Sequence, residues 1–323
     1  MRKLLKLFGL LLLVLLILIG TGALYISFSS LPTYEKESFT FNAATPTPEL
    51  IAHGAKIAAV QCNVCHLGSD GKLSGRKQTD LAKEFGEIYS RNITQDSAIG
   101  IGKWSAADIA YLLRTGCRPD GSYLPTYMPK YPNLSDYDLQ AIIAYLKSDL
   151  PQVQPSKEEQ PESAPSFLTK FLCRVAFKKL EYPSQPIEMP DTNNLVAYGR
   201  YLALGRYDCW TCHSQDFKTL NFTEPEKTPG FFCGGNTMFT LNGNEIYTAN
   251  ITQDEKTGIG TWTEEDFKNA LVSSKRKDGK PVRYPMLPYA GLPDSEVKAL
   301  WQYMRTIPAI SNEVNRQWDK EDL

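Results

Sequence analysis

A chain of 323 residues with 35 basic and 36 acidic side chains, a formal net charge of -1 and 42% hydrophobic residues has an ordinary globular composition, long enough for about two domains. The balanced charge excludes the broad basic field that would call for a nucleic acid partner. Only three histidines accompany seven cysteines, so any pattern that uses both types twice needs a cause.

The N-terminus reads MRKLLK and is followed by an uncharged, mostly apolar stretch from Leu7 to Tyr34, long enough for a spanning helix. Arg2, Lys3 and Lys6 hold that end in the cytoplasm by the positive-inside rule, so the rest of the chain is expected on the far side. Residues 1–34 are therefore read as a retained anchor. The alternative is a signal peptide cleaved near the small residues Gly20 to Ala23. On either reading the remaining domains are exported, with the retained form single-pass in the inner (cytoplasmic) membrane and facing the periplasm.

QCNVCH ends at His66, and DCWTCH repeats the pattern at His213. Chance supplies a single Cys-x-x-Cys-His in such a composition roughly 0.001 times, so two copies are not coincidence. Two thiols three residues apart can each form a thioether to a haem vinyl group, and the adjoining histidine then lies against the iron. Cys62, Cys65, Cys209 and Cys212 are the expected attachment residues, and His66 and His213 the proximal ligands, of two haem c groups. A zinc site would have to join sets 147 residues apart (209 minus 62) and leave ligands idle, and a thioredoxin-like pair lacks its βαβ context.

NITQDSAIGIGKWSAADIAYLL starts at Asn92 and NITQDEKTGIGTWTEEDFKNAL at Asn250, an offset of 158 (250 minus 92). The same offset pairs Trp104 with Trp262, Asp108 with Asp266, Met128 with Met286 and Tyr131 with Tyr289, so the chain is read as two copies of one domain. Ser105 and Thr263, each with an acid three residues on, predict capped helix starts. Leu139, Ile142, Ile143 and Leu146, matched by Val297, Leu300, Trp301 and Met304, predict an amphipathic last helix in each copy. No run alternates with period two, so the fold class expected is mostly α: an anchor helix, a domain over 45–150, a linker over 151–190 and a second domain over 191–310.

Leu150 to Ser166, rich in Pro, Glu, Gln and Ser, is expected to be an exposed linker. The following segment carries Phe167, Leu168, Phe171, Leu172 and Val175 at helical spacing beside Lys170, Arg174, Lys178 and Lys179. Packing between the two domains is the commoner explanation for such a helix, and seating on a membrane surface the other.

The second axial position separates chemistry at an open iron from electron transfer at a closed one. His53 is the sole histidine outside the attachment motifs, so two histidines at both irons are impossible within one chain, and its counterpart in the second copy is Tyr198. Met128, in LPTYMPKYPNL, and its partner Met286, in VRYPMLPYAGL, are the expected sixth ligands. Met189, Met238 and Met304 read as structural. Asn92 and Asn250 are expected to fix their loops, and Trp104 and Trp262 to pack by the haem. Cys117, Cys173 and Cys233 are left over, with at most one disulfide among them.

Together, Cys-x-x-Cys-His, NITxD, GIGxW, a methionine in a Pro- and Tyr-rich loop and an acid-capped last helix resemble the membrane-associated multihaem class I c-type cytochromes. The likeness is to the cytochrome subunits of bacterial periplasmic dehydrogenases, such as the quinoprotein alcohol and flavin gluconate enzymes. It covers about residues 50–150 and 190–308, and the sequence departs from that pattern in having two attachment sites where such subunits commonly have three. The resemblance implies two tandem class I cytochrome c domains with His66/Met128 and His213/Met286 as axial pairs. It also implies a role in carrying electrons from a donor dehydrogenase or respiratory complex to an oxidase or soluble cytochrome, with no bond-making chemistry of its own. A dedicated subunit of a dehydrogenase or oxidase complex is the nearest alternative, and a di-haem peroxidase, with one iron able to open, is the alternative of another class.

Overall fold

The computed structural model describes residues 2–315. The first helix, α1 (Arg2–Phe28), is long and apolar enough to cross a membrane, and none of its residues is buried. A first half follows with α2 (Pro48–Gln61), α3 (Asn63–His66), α4 (Ala106–Thr115) and α5 (Asp136–Leu146). The connecting segment holds α6 (Phe167–Val175). A second half contains α7 (Leu195–Tyr201), α8 (Cys209–His213), α9 (Glu264–Ser273) and α10 (Asp294–Met304). Extended structure is confined, among the described residues, to isolated bridges and two small antiparallel pairs, β1 (Gly86–Glu87) with β2 (Ala164–Pro165) and β3 (Thr237–Phe239) with β4 (Glu245–Tyr247). The second pair is an extended hairpin that carries Met238, and among the described residues the first half has only the bridge Lys77 to Tyr89 at the position of its base.

Each half closes by laying its first helix across its last. Thr47 caps α2 by accepting the amide of Leu50 at 3.2 Å, with Pro48 next in line, where a missing N–H costs nothing. α2 then crosses α5 so closely that a Cβ on Gly54 would stand 1.9 Å from the carbonyl oxygen of Ala141. α7 crosses α10 in the same way, with Gly199 facing the carbonyl oxygen of Ala299 at the same 1.9 Å. The absence of a side chain at these two points lets the backbones meet.

The helix starts read from the sequence form as expected. Ser105 and Asp108 make a reciprocal capping box on α4, and Thr263 and Asp266 make another on α9. Leu139, Ile142, Ile143 and Leu146 are buried on α5, and Val297, Leu300, Trp301 and Met304 on α10. They anchor two separate apolar clusters, one in each half.

The connecting segment is tied to the first half. Leu150 to Ser166 is largely exposed, as expected, but it does not hang free: Val153 is fully buried, and Asn92 Nδ2 donates to the carbonyls of Ser156 and Glu158, each at 3.0 Å. Ser156 Oγ also donates to Asp70 at 2.6 Å, so backbone and hydroxyl groups hold a Pro-rich stretch that has few apolar side chains to do so. Nor does α6 brace one half against the other. Ser166 donates its amide to Phe85 O at 2.9 Å and Thr169 Oγ1 donates to the same oxygen at 3.1 Å, which seats α6 on the first half. Its buried Cys173 lies with Tyr111, Cys117 and Tyr123 of that half. Among the described residues no disulfide joins any of the cysteines, and Cys233 lies apart from this cluster in the second half.

Candidate haem-attachment sites

The thiols and histidines are presented by single helical turns. Cys62 ends α2 and starts α3, whose short turn bonds His66 N to Cys62 O at 2.8 Å and places both thiols and the ring on neighbouring positions. In the second half α7 runs into a π turn, Leu202–Arg206, before Asp208 turns the chain with a positive φ of 52°. α8 then carries Cys209, Cys212 and His213.

The two imidazoles are held alike. His66 Nδ1 donates to the carbonyl of Arg91 at 2.8 Å, and His213 Nδ1 donates to that of Ala249 at 2.9 Å. A carbonyl only accepts, so the proton sits on Nδ1 and the Nε2 lone pair is left for a metal. Burial lowers the pKa of both rings, against the bond to each carbonyl, and this keeps them neutral and able to ligate.

The accepting carbonyls belong to the residues immediately before the NIT motifs, and the asparagines fix those loops. Asn92 Oδ1 accepts the amide of Thr94 at 2.9 Å and its hydroxyl at 2.6 Å, while Nδ2 ties the loop to residues 156 and 158. Asn250 Oδ1 accepts the same two donors of Thr252 at 3.0 and 2.7 Å, and Nδ2 donates to Ile310 O at 2.8 Å. The loop role expected for the asparagines is thus extended: by setting the loop they set the carbonyl, and through it the ring.

The donor set suits haem c. Burial first, then the neighbouring thiol, pushes Cys62 up to about 12, and burial first pushes Cys65 up to about 11. Burial does the same for Cys209, to about 12, and Cys212, to about 11. A thioether carries no charge and loses nothing by such burial, so these positions suit covalent attachment. Met128 packs half-buried on the apolar cluster that also receives Cys62 and Trp104, and Met286 on the one that receives Cys209 and Trp262. Both methionines lie in matching turns, with their amides bonded to Pro125 O at 3.1 Å and Arg283 O at 3.0 Å. His53 is not near either imidazole's loop bond; its Nε2 meets Asp138 at 2.7 Å, as its counterpart Tyr198 meets Glu296 at 3.2 Å.

The attachment segments also face each other. Gln61, directly before Cys62, donates from Nε2 to the carbonyl of Arg206 at 2.7 Å, and its Oε1 accepts from Tyr131 at 3.4 Å. The Tyr131 phenol is buried, and its pKa is raised first by that burial and then by Cys62, Asp208, Cys65 and Tyr289, groups from both sites. Arg206 itself is buried at the junction. It binds Asp138 through Nε at 2.5 Å and Nη2 at 3.1 Å, and Glu296 through Nη1 at 2.8 Å. Tyr201 donates to Asp138, and Tyr207 donates to Glu296 at 2.6 Å.

None of Arg91, Ala249, Gln61 or Arg206 was visible as functional in the sequence. The first two act through backbone oxygens, which leave no side-chain signature. A signal for Arg206 did exist: Asp138 and Glu296 are acids at equivalent positions of the repeated last helix, where a buried acid needs a cation.

Comparison with known proteins finds similarities in both halves of the chain. Residues 51–149 match the Cytochrome c family. The chain is 28% identical over 304 residues to the cytochrome c subunit of a quinone-type alcohol dehydrogenase from Gluconacetobacter polyoxogenes, covering 86% of this chain and 62% of that one. It is 29% identical over 278 residues to the fructose dehydrogenase cytochrome subunit of Gluconobacter japonicus, covering 80% of this chain and 53% of that one. It is also 29% identical over 261 residues to a diheme cytochrome c-type protein of Cereibacter sphaeroides, covering 77% and 82% of the two chains. The chain thus spans less than two thirds of the length of the two dehydrogenase subunits. The similarity is thus to the Cytochrome c family over residues 51–149 and, over most of the chain, to proteins named as cytochrome subunits of dehydrogenases and as a diheme cytochrome.

Proposed function

We propose that the protein is a membrane-anchored di-haem cytochrome c that passes electrons, on the periplasmic side, from a dehydrogenase to a further acceptor. The observation that carries this reading is the pair of equivalent histidines, each with Nδ1 on a loop carbonyl and Nε2 free, joined across the halves by the Gln61 to Arg206 bond. Haem c bound at both sites supplies one-electron chemistry. Cys62 and Cys65, and Cys209 and Cys212, would hold the groups covalently, and His66 with Met128 and His213 with Met286 would ligate the two irons. Closed positions favour electron transfer over reaction with oxygen or peroxide, and a methionine ligand raises the potential.

The protein's own role is positioning. The Arg206 cluster fixes the angle between the halves, and the contact of Gln61 with the Arg206 carbonyl brings the two attachment segments together. The apolar helix α1 supplies the anchor, and similarity to dehydrogenase cytochrome subunits supports a dehydrogenase as donor. The test is the haem content by pyridine haemochrome, together with the weak far-red band of methionine bound to ferric iron. Two haems per chain with the band at double intensity support the proposal. One haem, or a high-spin signature at either iron, overturns it.

A further inference from the structure

Helix α6 is inside out. Phe167, Leu168, Phe171 and Val175 are 45%, 44%, 38% and 58% exposed, while the residues it buries are Thr169 and Cys173. At about 100° per residue the four apolar side chains share one face, and Thr169 and Cys173 lie on the opposite one. The rings of Phe167 and Phe171 stack on each other, 6.2 Å between centroids, on the outward side. A surface helix normally turns its apolar stripe toward the core, so a helix that does the reverse has an apolar partner outside the protein.

What lies beside that face identifies the partner. Lys170 Nζ donates to Ser27 O at 2.8 Å, and Arg174 Nη2 donates to Ser29 Oγ and Ser30 O, each at 2.6 Å. These groups lie at the C-terminal end of α1, where helix carbonyls lack intrahelical partners and cations are favoured. The end of the apolar helix is therefore clamped to α6. The segment after it is also tied to the first half, with Tyr34 N bonded to Gly121 O at 2.9 Å and Tyr123 N to Pro32 O at 3.1 Å.

We infer that α6 lies in the plane of the membrane as an interfacial helix, its Phe167, Leu168, Phe171 and Val175 face buried among lipid acyl chains at the point where α1 leaves the bilayer. This rests on the proposal that α1 spans the membrane. Lys170 and Arg174 flank the apolar face, as in helices that bind lipid surfaces, with their charged ends at headgroup level. Because α6 is fixed to the first half at Phe85, the bound helix holds that half at a set tilt on the bilayer instead of letting it swing on a flexible tether.

The test uses the full-length haem-loaded protein in vesicles of phosphatidylcholine with one quarter phosphatidylglycerol. Nitroxide labels are placed singly at Phe171→Cys on α6, at Leu15→Cys within α1 and at Asp120→Cys on an exposed loop. Collisions with oxygen, which concentrates in lipid, are compared with those of a water-soluble nickel chelate, the protein without an added cysteine giving the background. The expected result is oxygen-dominated relaxation at Phe171→Cys and Leu15→Cys and nickel-dominated relaxation at Asp120→Cys. Nickel access at Phe171→Cys with oxygen dominance retained at Leu15→Cys overturns the inference and leaves the anchor intact. Nickel access at both sites shows that the anchor reading itself has failed. Shielding of Phe171→Cys from both relaxers means that a second copy of the chain covers the face, which also overturns the inference.

Discussion

Asp138 and Glu296, which the internal repeat makes equivalent, bind a single guanidinium, that of Arg206. Each acid is reached by the first helix of its own half, through His53 or Tyr198, so one arginine unites the two helix crossings. Arg206→Met leaves two acids in the junction without their cation, and is expected to cost about 3–5 kcal/mol in denaturant unfolding of the haem-loaded protein. Arg206→Lys should lose less, since it keeps the charge but not the two-pronged bond to Asp138.

The same cluster sets an acid limit. Burial pushes Asp138 up, but the bonds from His53, Arg206 and Tyr201 together win and hold its carboxyl below its ordinary 3.8. A carboxyl depressed in the folded state contributes stability above its unfolded pKa and loses it as pH falls through the folded one. Stability should therefore drop on acidification below about pH 4. The drop should be shallower in Asp138→Asn, which has a lower baseline, and a denaturant midpoint followed against pH reads both.

Asp208 moves the other way. Burial raises its carboxyl to about 8, against the bond it accepts from Thr211 at 2.9 Å. Folding then favours the protonated form, and stability contributed by that proton is lost as pH rises from 3.8 to about 8. A denaturant midpoint followed against pH should lose this dependence in Asp208→Asn.

Met128→Leu and Met286→Leu should each remove about half of the far-red band and leave that iron able to bind an added ligand such as imidazole. Retention of the full band in either variant would show that the methionine is not a ligand.

The asparagines give a test of positioning. Asn250→Ala strips the acceptor from Thr252 and the donor from Ile310 O, and is expected to cost about 1–3 kcal/mol. If Asn250 acts through the Ala249 carbonyl on His213, the variant also shifts one midpoint potential and not the other. A purely structural residue would lower stability and leave both potentials in place.

Gly199→Ala should destabilise by about 1–3 kcal/mol, because the new methyl would stand 1.9 Å from Ala299 O and the helices must separate. Gly54→Ala should do the same in the first half, and thermal melts of the two variants should shift alike.

What the sequence determined by itself is whatever has a local period or a covalent logic. The two Cys-x-x-Cys-His motifs, the capping pairs Ser105/Asp108 and Thr263/Asp266, and the buried stripes of α5 and α10 depend on residues a few positions apart, so spacing alone exposes them. The repeat also made Asp138 and Glu296 comparable before any contact was known. Tertiary structure alone decided what those residues meet. The carbonyls of Arg91 and Ala249 that orient the histidines are backbone atoms, present at every residue and marked at none. Arg206 joins groups 68 and 90 residues away in the chain (206 minus 138 and 296 minus 206), a distance at which no periodicity survives. The apolar pattern of α6 showed that it has two faces; its attachment at Phe85 and at the end of α1 decided which face turns outward, because side-chain spacing defines a stripe but only packing chooses what the stripe touches.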